Sequence, residues 1–215
     1  MRALTPLEAR VLGVLVEKQH TVPDTYPLSL NSLVAGCNQK TARDPVINAT
    51  EAEVLTALDG LKALSLVFEG SGSRVVRFEH NMARVFSLPA ASVALLTLLM
   101  LRGPQTAAEL RLHCERLHRF ADISSVEGFL DEMAGKEPAR VVKLPRSPGE
   151  REARWAHLLC GEVAFEPAAL AAGEGGVSSG EIAALKAEQT RLAAEVAQLR
   201  ELMQRLAAEL GIDAG

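Results

Sequence analysis

The feature that most constrains the fold of this chain is a helix-start signal that precedes five segments with a helical pattern. A threonine or serine is followed three residues later by a glutamate, and such a pair can form a capping box at the first turn of a helix. The pairs are Thr5 and Glu8, Thr50 and Glu53, Thr106 and Glu109, Ser124 and Glu127, and Ser178 and Glu181. They predict a mainly helical chain and the residues at which its main helices begin.

The first part of the chain has the pattern of three helices followed by a hairpin. Helices are predicted after the first two capping boxes, with a shorter helix over residues 28–36 between them. The inner face of the third helix is predicted to consist of Val54, Leu55, Leu58 and Leu61. The apolar period then changes to two, which predicts strands at residues 66–69 and 74–79. This order is typical of a winged helix, predicted at residues 1–80.

The same order recurs after a connector at residues 80–89. A strongly apolar helix is followed by helices that start at the third and fourth capping boxes. Strands are predicted at residues 140–144 and 153–159, on either side of a long turn. The recurrence indicates an architectural repeat, and it predicts a second winged-helix domain at residues 81–165.

The remaining residues divide into a linker and a heptad pattern. Residues 166–180 are rich in Gly, Ala and Ser and are predicted to be a flexible linker. Residues 181–211 are predicted to form a coiled-coil helix of a homo-oligomer, most simply a dimer. Its interface positions are Ile182, Leu185, Gln189, Leu192, Val196, Leu199, Met203, Leu206 and Leu210. The alternative is an amphipathic helix that folds back on its own domain. The predicted fold is therefore α+β, mostly α: two tandem winged-helix domains followed by a coiled-coil helix.

Composition excludes some classes of protein. The net charge is −4, and the deficit lies in residues 166–215, which carry 4 basic and 8 acidic residues. A domain that binds nucleic acid mainly through phosphates is expected to be strongly basic. Three widely spaced cysteines do not indicate a disulfide framework, and the longest apolar run is too short to span a membrane. We therefore expect a cytoplasmic protein with no membrane association.

Four segments carry a resemblance to a known family. They read LTPLEARVLGVLVEKQ, PLSLNSLVAGCNQKTARDPV, LRGPQTAAELRLHCERLH and VVKLPRSPGEREARWAHLLCGE, and they extend across residues 4–162. They resemble the YceH-like proteins of bacteria, a family of uncharacterised function. The resemblance implies two tandem winged-helix domains, commonly with a C-terminal helical extension. It implies no reaction, so function has to be argued from the residues.

The third helix of each domain is poorly suited to reading DNA. In a winged helix this element lies in the major groove and offers Arg, Asn, Gln or Lys to base edges. The helices here offer mainly acidic residues, which phosphates repel. The acidic residues are Glu51, Glu53 and Asp59 in the first helix and Glu127, Asp131 and Glu132 in the second. We therefore do not expect base readout by these helices.

Basic residues gather instead in the hairpins and in the polar loop at residues 37–45, which reads CNQKTARDP. The loop is expected to present two positive charges, Lys40 and Arg43, to phosphate or to a protein carboxylate. The full set of candidate contacts is Lys40, Arg43, Arg74, Arg77, Arg140, Lys143, Arg146, Arg151 and Arg154. The alternative is that these are solvated charges paired with neighbouring carboxylates.

Two hypotheses for function follow. The first is a non-enzymatic interaction or regulatory module that binds a protein partner and assembles as an oligomer. The second is a DNA-binding transcriptional regulator that contacts phosphates through its wings and the loop at residues 37–45. A winged-helix fold is compatible with both, because a fold does not by itself determine a function.

Catalytic and metal-binding sets are weakly indicated. Cys114 and His118 are four residues apart on a predicted helix, and His157 and Cys160 are three apart on a predicted strand. Zinc could be held by such ligands, but residues three apart on a strand point to opposite faces. The sequence contains no recognisable nucleophile motif or phosphate-binding loop. We expect no enzyme activity, cofactor, metal or small-molecule substrate.

Overall fold

The computed structural model describes residues 1–70, 75–146 and 152–163, all within one compact unit that comprises residues 1–167. The predicted linker and the predicted coiled-coil helix lie outside the described residues. The structure is α+β, with a three-stranded and a two-stranded sheet among those residues.

The first part begins with a helix that is fixed by a complete capping box. The Glu8 amide donates to Thr5 Oγ1 over 3.1 Å, and the Thr5 amide donates to Glu8 Oε2 over 2.7 Å. Thr50 and Glu53 form the same arrangement, which confirms two predicted helix starts. The elements are α1 Pro6–Thr21, β1 Leu28–Ser29, α2 Leu30–Cys37, α3 Glu51–Ala63, β2 Val67–Gly70 and β3 Arg77–His80, with a 3₁₀ turn at Pro23–Thr25.

The sheet of this part has the order β1-β3-β2 and is antiparallel throughout. Leu28 is opposite Phe78, and Val67 is opposite His80. The prediction of helix from residue 28 was wrong in detail, because Leu28 and Ser29 pair with β3 before Ser29 caps α2. Strand β2 lies one residue later than predicted, whereas β3 begins three residues later and ends one residue later than predicted.

The second part repeats the order of elements. Its elements are α4 Met82–Phe86, α5 Ala90–Arg102, α6 Ala107–His113, α7 Ile123–Ala134, β4 Val141–Lys143 and β5 Trp155–His157. The antiparallel bridge between Gln105 and Trp155 occupies the place that β1 has in the first part. The predicted connector at residues 80–89 contains the short helix α4. Both predicted strands shorten to three residues.

One predicted helix start was wrong. The capping box at Thr106 and Glu109 is present, but α7 is capped by Asp122 and not by Ser124. The Ser125 amide donates to Asp122 Oδ1 over 2.7 Å, and Ser124 lies inside the first turn. A carboxylate at this position accepts the same hydrogen bond and also complements the positive end of the helix dipole.

The core of the described unit is centred on the packing of α1 against α5. Every residue of α5 from Ala91 to Leu101 is buried, as expected of a helix that is apolar on all sides. Gly13 allows the close approach of α1, since a Cβ at this position would lie 3.0 Å from the side chain of Leu101. No helix among the described residues is both long and apolar enough to cross a membrane.

Candidate functional site

Hydrogen bonds join the two ends of the polar loop between α2 and α3 and also tie the loop to α5. Asn38 donates from Nδ2 to the Ala49 carbonyl over 2.8 Å, and its Oδ1 accepts from the Ala49 amide over 2.7 Å. The Asp44 amide donates to the Leu101 carbonyl at the end of α5 over 2.8 Å. The loop is thus tied both to itself and to the second part of the chain.

Arg43 holds the loop from the inside. Its Nη2 and Nη1 donate to the two carboxylate oxygens of Glu17 over 2.6 and 3.0 Å, and its Nε donates to the Gly36 carbonyl over 3.1 Å. Its side chain is 0% exposed. The expectation that the loop presents two positive charges is therefore corrected, because only Lys40 is exposed.

The Glu17 carboxylate is correspondingly held in its charged form. Burial favours the neutral acid and would raise the pKa of Glu17. The hydrogen bonds and positive charge of Arg43, together with Lys18, outweigh burial, and the pKa of Glu17 lies below its ordinary value. Arg43 and Glu17 form a buried, bidentate ion pair that joins α1 to the loop.

Three other candidate arginines are engaged within the molecule. Arg77 donates to the carbonyls of Thr25 and Pro27 over 3.1 and 2.7 Å. Arg154 donates to a Glu109 carboxylate oxygen over 2.9 Å, and the Arg140 guanidinium lies 4.7 Å from the centre of the Phe86 ring. Groups within the fold therefore occupy these three guanidinium groups. The sequence could not reveal this, because the partners of Arg77, Arg140 and Arg154 are about 50 residues away in the chain.

Lys143 and Arg146 are exposed near the second hairpin. The Lys143 ammonium lies 5.2 Å from the centre of the Trp155 ring, a cation–π contact that leaves the charge in water. Arg146 shares a cleft with Glu127 and Glu152, so acidic groups neighbour this charge. Arg74 and Arg151 lie outside the described residues. Exposed basic side chains are therefore fewer than the sequence suggested.

The exposed face of α3 is acidic, as predicted. Glu51, Glu53 and Asp59 are exposed on it. The Lys62 ammonium is bound by Asp59 over 2.9 Å and by Glu69 of β2 over 3.1 Å. Negative charge therefore dominates the exposed face of α3, and this charge would repel phosphates.

An apolar groove lies between the start of α2, α3 and the first hairpin. It encloses about 550 Å³. The residues that line this hairpin groove are Ser29, Leu30, Asn31, Leu55, Lys62, Glu69, Val75, Val76 and Phe78. Leu55, Val75 and Val76 are 42%, 55% and 48% exposed, which is unusual for neighbouring large aliphatic side chains. The prediction that Leu55 belongs to the inner face of α3 was wrong.

The cysteines and histidines are dispersed through the fold. Burial raises the pKa of Cys37 and of Cys114 to about 12, so both are neutral thiols of the core. Burial lowers the pKa of His157 to about 4, so its imidazole is neutral near pH 7. Within residues 1–70, 75–146 and 152–163 no three His, Cys, Asp or Glu side chains are grouped to hold a metal ion.

Comparison with known proteins gives a family but no activity. A family model described as a protein of unknown function, DUF480, matches residues 4–150. A UPF0502 protein of Burkholderia thailandensis is 70% identical over 216 residues, covering 100% of this chain and 92% of the relative. A UPF0502 protein of Leptothrix cholodnii is 68% identical over 218 residues, covering 99% and 97%. The predicted membership of an uncharacterised bacterial family is confirmed: the chain belongs to the DUF480 family, and these UPF0502 proteins are similar to the chain along most of their length.

Proposed function

We propose that this protein is a non-enzymatic interaction module that binds a protein partner in the hairpin groove. The observation that carries the proposal is the exposure of Leu55, Val75 and Val76 around one concave surface. Covering apolar surface is favourable by about 25 cal/mol per Å² removed from water. A patch of this kind on a polar rim is typical of a protein contact.

The charges around the groove indicate the chemistry of the partner. Glu51 and Asp59 lie four residues before and after Leu55, on the same face of α3. Glu69 adds a third carboxylate at the hairpin, and Lys62 is already bound by Asp59 and Glu69. The complementary segment carries apolar side chains flanked by lysine or arginine.

Two winged-helix domains, at residues 1–80 and 81–165, are the fold that we propose for this module. Support comes from the element order helix, strand, helix, helix, hairpin, and from the sheet order β1-β3-β2. In the second part, the bridge between Gln105 and Trp155 stands in for the first strand. In such a domain the hairpin groove lies beside the third helix, which makes it a natural docking surface.

DNA binding through the wings and the loop is the second candidate, favoured by the exposure of Lys40, Lys143 and Arg146. The engagement of Arg43, and the acidic face of α3, weigh against it. Retention of duplex DNA at about 50 mM salt, abolished when Lys143 and Arg146 are replaced, is the result that this candidate requires.

We further propose that residues 181–211 pair between chains as a coiled coil. The support is the sequence pattern, with Leu192 and Leu199 at core positions and Ala194 at an outward position. Leu192→Asp with Leu199→Asp should convert a dimer to a monomer in light scattering, whereas Ala194→Asp should not. A dimer that survives the double substitution would remove this proposal.

The groove proposal is tested by site-specific crosslinking in an extract of Burkholderia thailandensis, which contains a relative 70% identical to this chain. A photoreactive benzoylphenylalanine at Leu55 should crosslink a distinct protein, and mass spectrometry identifies the contacted segment. The matched control places the same group at Leu112, which is 66% exposed on α6.

The identified segment is then synthesised and titrated against the full chain. We expect the segment to bind. Val76→Asp should abolish this binding and Leu112→Asp should preserve it, because Val76 lines the groove and Leu112 does not. Equal crosslinking from both positions would refute the proposal. So would a segment without basic residues, or binding that Val76→Asp leaves unchanged.

A further inference from the structure

A second cavity, distinct from the hairpin groove, lies between α1, the polar loop, the end of α5 and the residues after β5. It encloses about 520 Å³, within the range of about 300–1,000 Å³ typical of small-molecule sites. Its walls are mostly apolar and are formed by Pro6, Leu7, Pro45, Ile47, Leu99 and Met100. We call it the Arg10 cavity, because Arg10 is the one cation among its lining residues.

Arg10 is buried without a counter-ion. Its residue is 3% exposed, and its Nη1 and Nη2 donate to the carbonyls of Cys37 and Pro45 over 3.1 and 2.7 Å. Its Nε is buried with no hydrogen-bond partner. Among the described residues no carboxylate lies within ion-pair distance of its guanidinium. A buried cation in this state is costly, and a bound anion would remove the cost.

The other polar groups of the cavity do not supply that anion. His157 has a buried Nδ1 with no partner, and burial keeps its imidazole neutral near pH 7. Burial also raises the pKa of Cys160, so its thiol is protonated. Asp44 and Glu53 belong to the lining, but both are exposed to water, and Glu53 is occupied in capping α3. The lining therefore combines the Arg10 cation, a neutral imidazole and apolar walls with two carboxylates, Asp44 and Glu53, that are exposed to water and not within ion-pair distance of Arg10.

We infer that the Arg10 cavity binds a small organic carboxylate with an apolar body. The carboxylate pairs with the guanidinium of Arg10, which lines the cavity, and the apolar body contacts Leu7, Ile47 and Leu99. The ligand fills a space that four elements of the fold share.

Calorimetric titration of the full chain with sodium octanoate tests this inference, and octanamide is the neutral probe of the same shape. We expect octanoate to bind and octanamide to bind with an affinity lower by about tenfold or more. The reason is that removing the charge of the ligand weakens its hydrogen bond to the charged guanidinium. Equal affinity for the two probes, or absence of octanoate binding at millimolar concentration, would overturn the inference.

Two variants locate the site. Arg10→Met should lower the affinity for octanoate about tenfold or more, and Ile47→Trp should weaken octanoate binding by narrowing the cavity while leaving Arg10 in place. Arg77→Met is the matched control, because Arg77 does not line the cavity, and it should bind as the unmodified chain does. If Arg10→Met does not fold, Ile47→Trp decides, and undiminished octanoate binding by that variant would refute the site.

Discussion

Replacing Glu17 by glutamine should lower the free energy of unfolding far more than the same substitution at an exposed glutamate. The change keeps the size of the side chain and removes its charge. Arg43 then keeps its hydrogen bond to the Gly36 carbonyl, but its guanidinium remains buried with no carboxylate beside it. The side chains of Arg43 and Glu17 are 0% and 14% exposed, so water screens the pair little.

The expected loss follows from the cost of an unpaired buried charge. Removing one partner of a buried ion pair costs about 3–5 kcal/mol, and the retained bond to Gly36 places this case near 3 kcal/mol. That is a large share of the stability of a typical domain, about 5–15 kcal/mol. Urea unfolding measures it, and the fluorescence of Trp155, the only tryptophan, reports the transition.

The matched control is Glu132→Gln, which removes an exposed ion pair between Glu132 of α7 and Lys136, two residues beyond the end of that helix. It should cost less than about 1 kcal/mol. Replacing Glu17 by leucine together with Arg43 by methionine should recover much of the loss, because no unpaired charge remains. If Glu17→Gln costs no more than Glu132→Gln, Arg43 is not the internal tie described above.

The same pair sets a pH dependence. The pKa of Glu17 is lower in the folded chain than in the unfolded chain, so the folded state binds fewer protons. The stabilisation is present above the unfolded pKa of about 4.3 and is lost as the pH falls through the lower folded value. Glu17→Gln should remove this acid-dependent part of the unfolding free energy, whereas Glu132→Gln should keep it.

Three further outcomes are expected from other residues. Gly36→Ala should destabilise the chain, because its Cβ would lie 2.6 Å from a methyl group of α1, whereas Gly128→Ala meets nothing within 4 Å and should stabilise α7 by about 1 kcal/mol in urea unfolding. Asp122→Ala should cost about 1 kcal/mol and Ser124→Ala much less, and equal costs would contradict the observed cap. Stability should fall as the pH drops from 6.5 toward 4, because burial lowers the pKa of His80 to about 4 and the unfolded chain then binds the extra proton. His80→Gln should reduce that slope in unfolding measured at several pH values, and the remaining slope is expected from His157, whose pKa burial also lowers to about 4.

Helix starts were largely predictable from the sequence because their chemistry is local. The boxes at Thr5, Thr50 and Thr106 each involve residues only three positions apart, and all three are present. The helix start predicted at Ser124 was wrong, and the reason is also local. Asp122 lies two residues earlier and offers a charged acceptor, so two capping signals competed and the sequence pattern selected the wrong one.

The roles of the arginines were not predictable in the same way. Arg43 is paired with Glu17, which lies 26 residues earlier in the chain, and Arg77 bonds to carbonyls about 50 residues earlier. These partners meet only after α1 and the first sheet have assembled. Leu55 has helical spacing with buried neighbours, yet it lies at the margin of the apolar stripe and faces the groove.

The charge pattern of this chain therefore has a structural explanation before a functional one. A guanidinium has five N–H donors and can bind several backbone carbonyls at once, which suits it to closing long loops. Arg43 and Arg10 both do this for the polar loop, at Gly36 and Ala42 and at Cys37 and Pro45. The difference between them is the counter-ion: Glu17 neutralises Arg43, while no carboxylate among the described residues does so for Arg10. The two buried cations make similar backbone contacts but support different conclusions. Arg43 is explained by the fold alone, whereas Arg10 supports a ligand site.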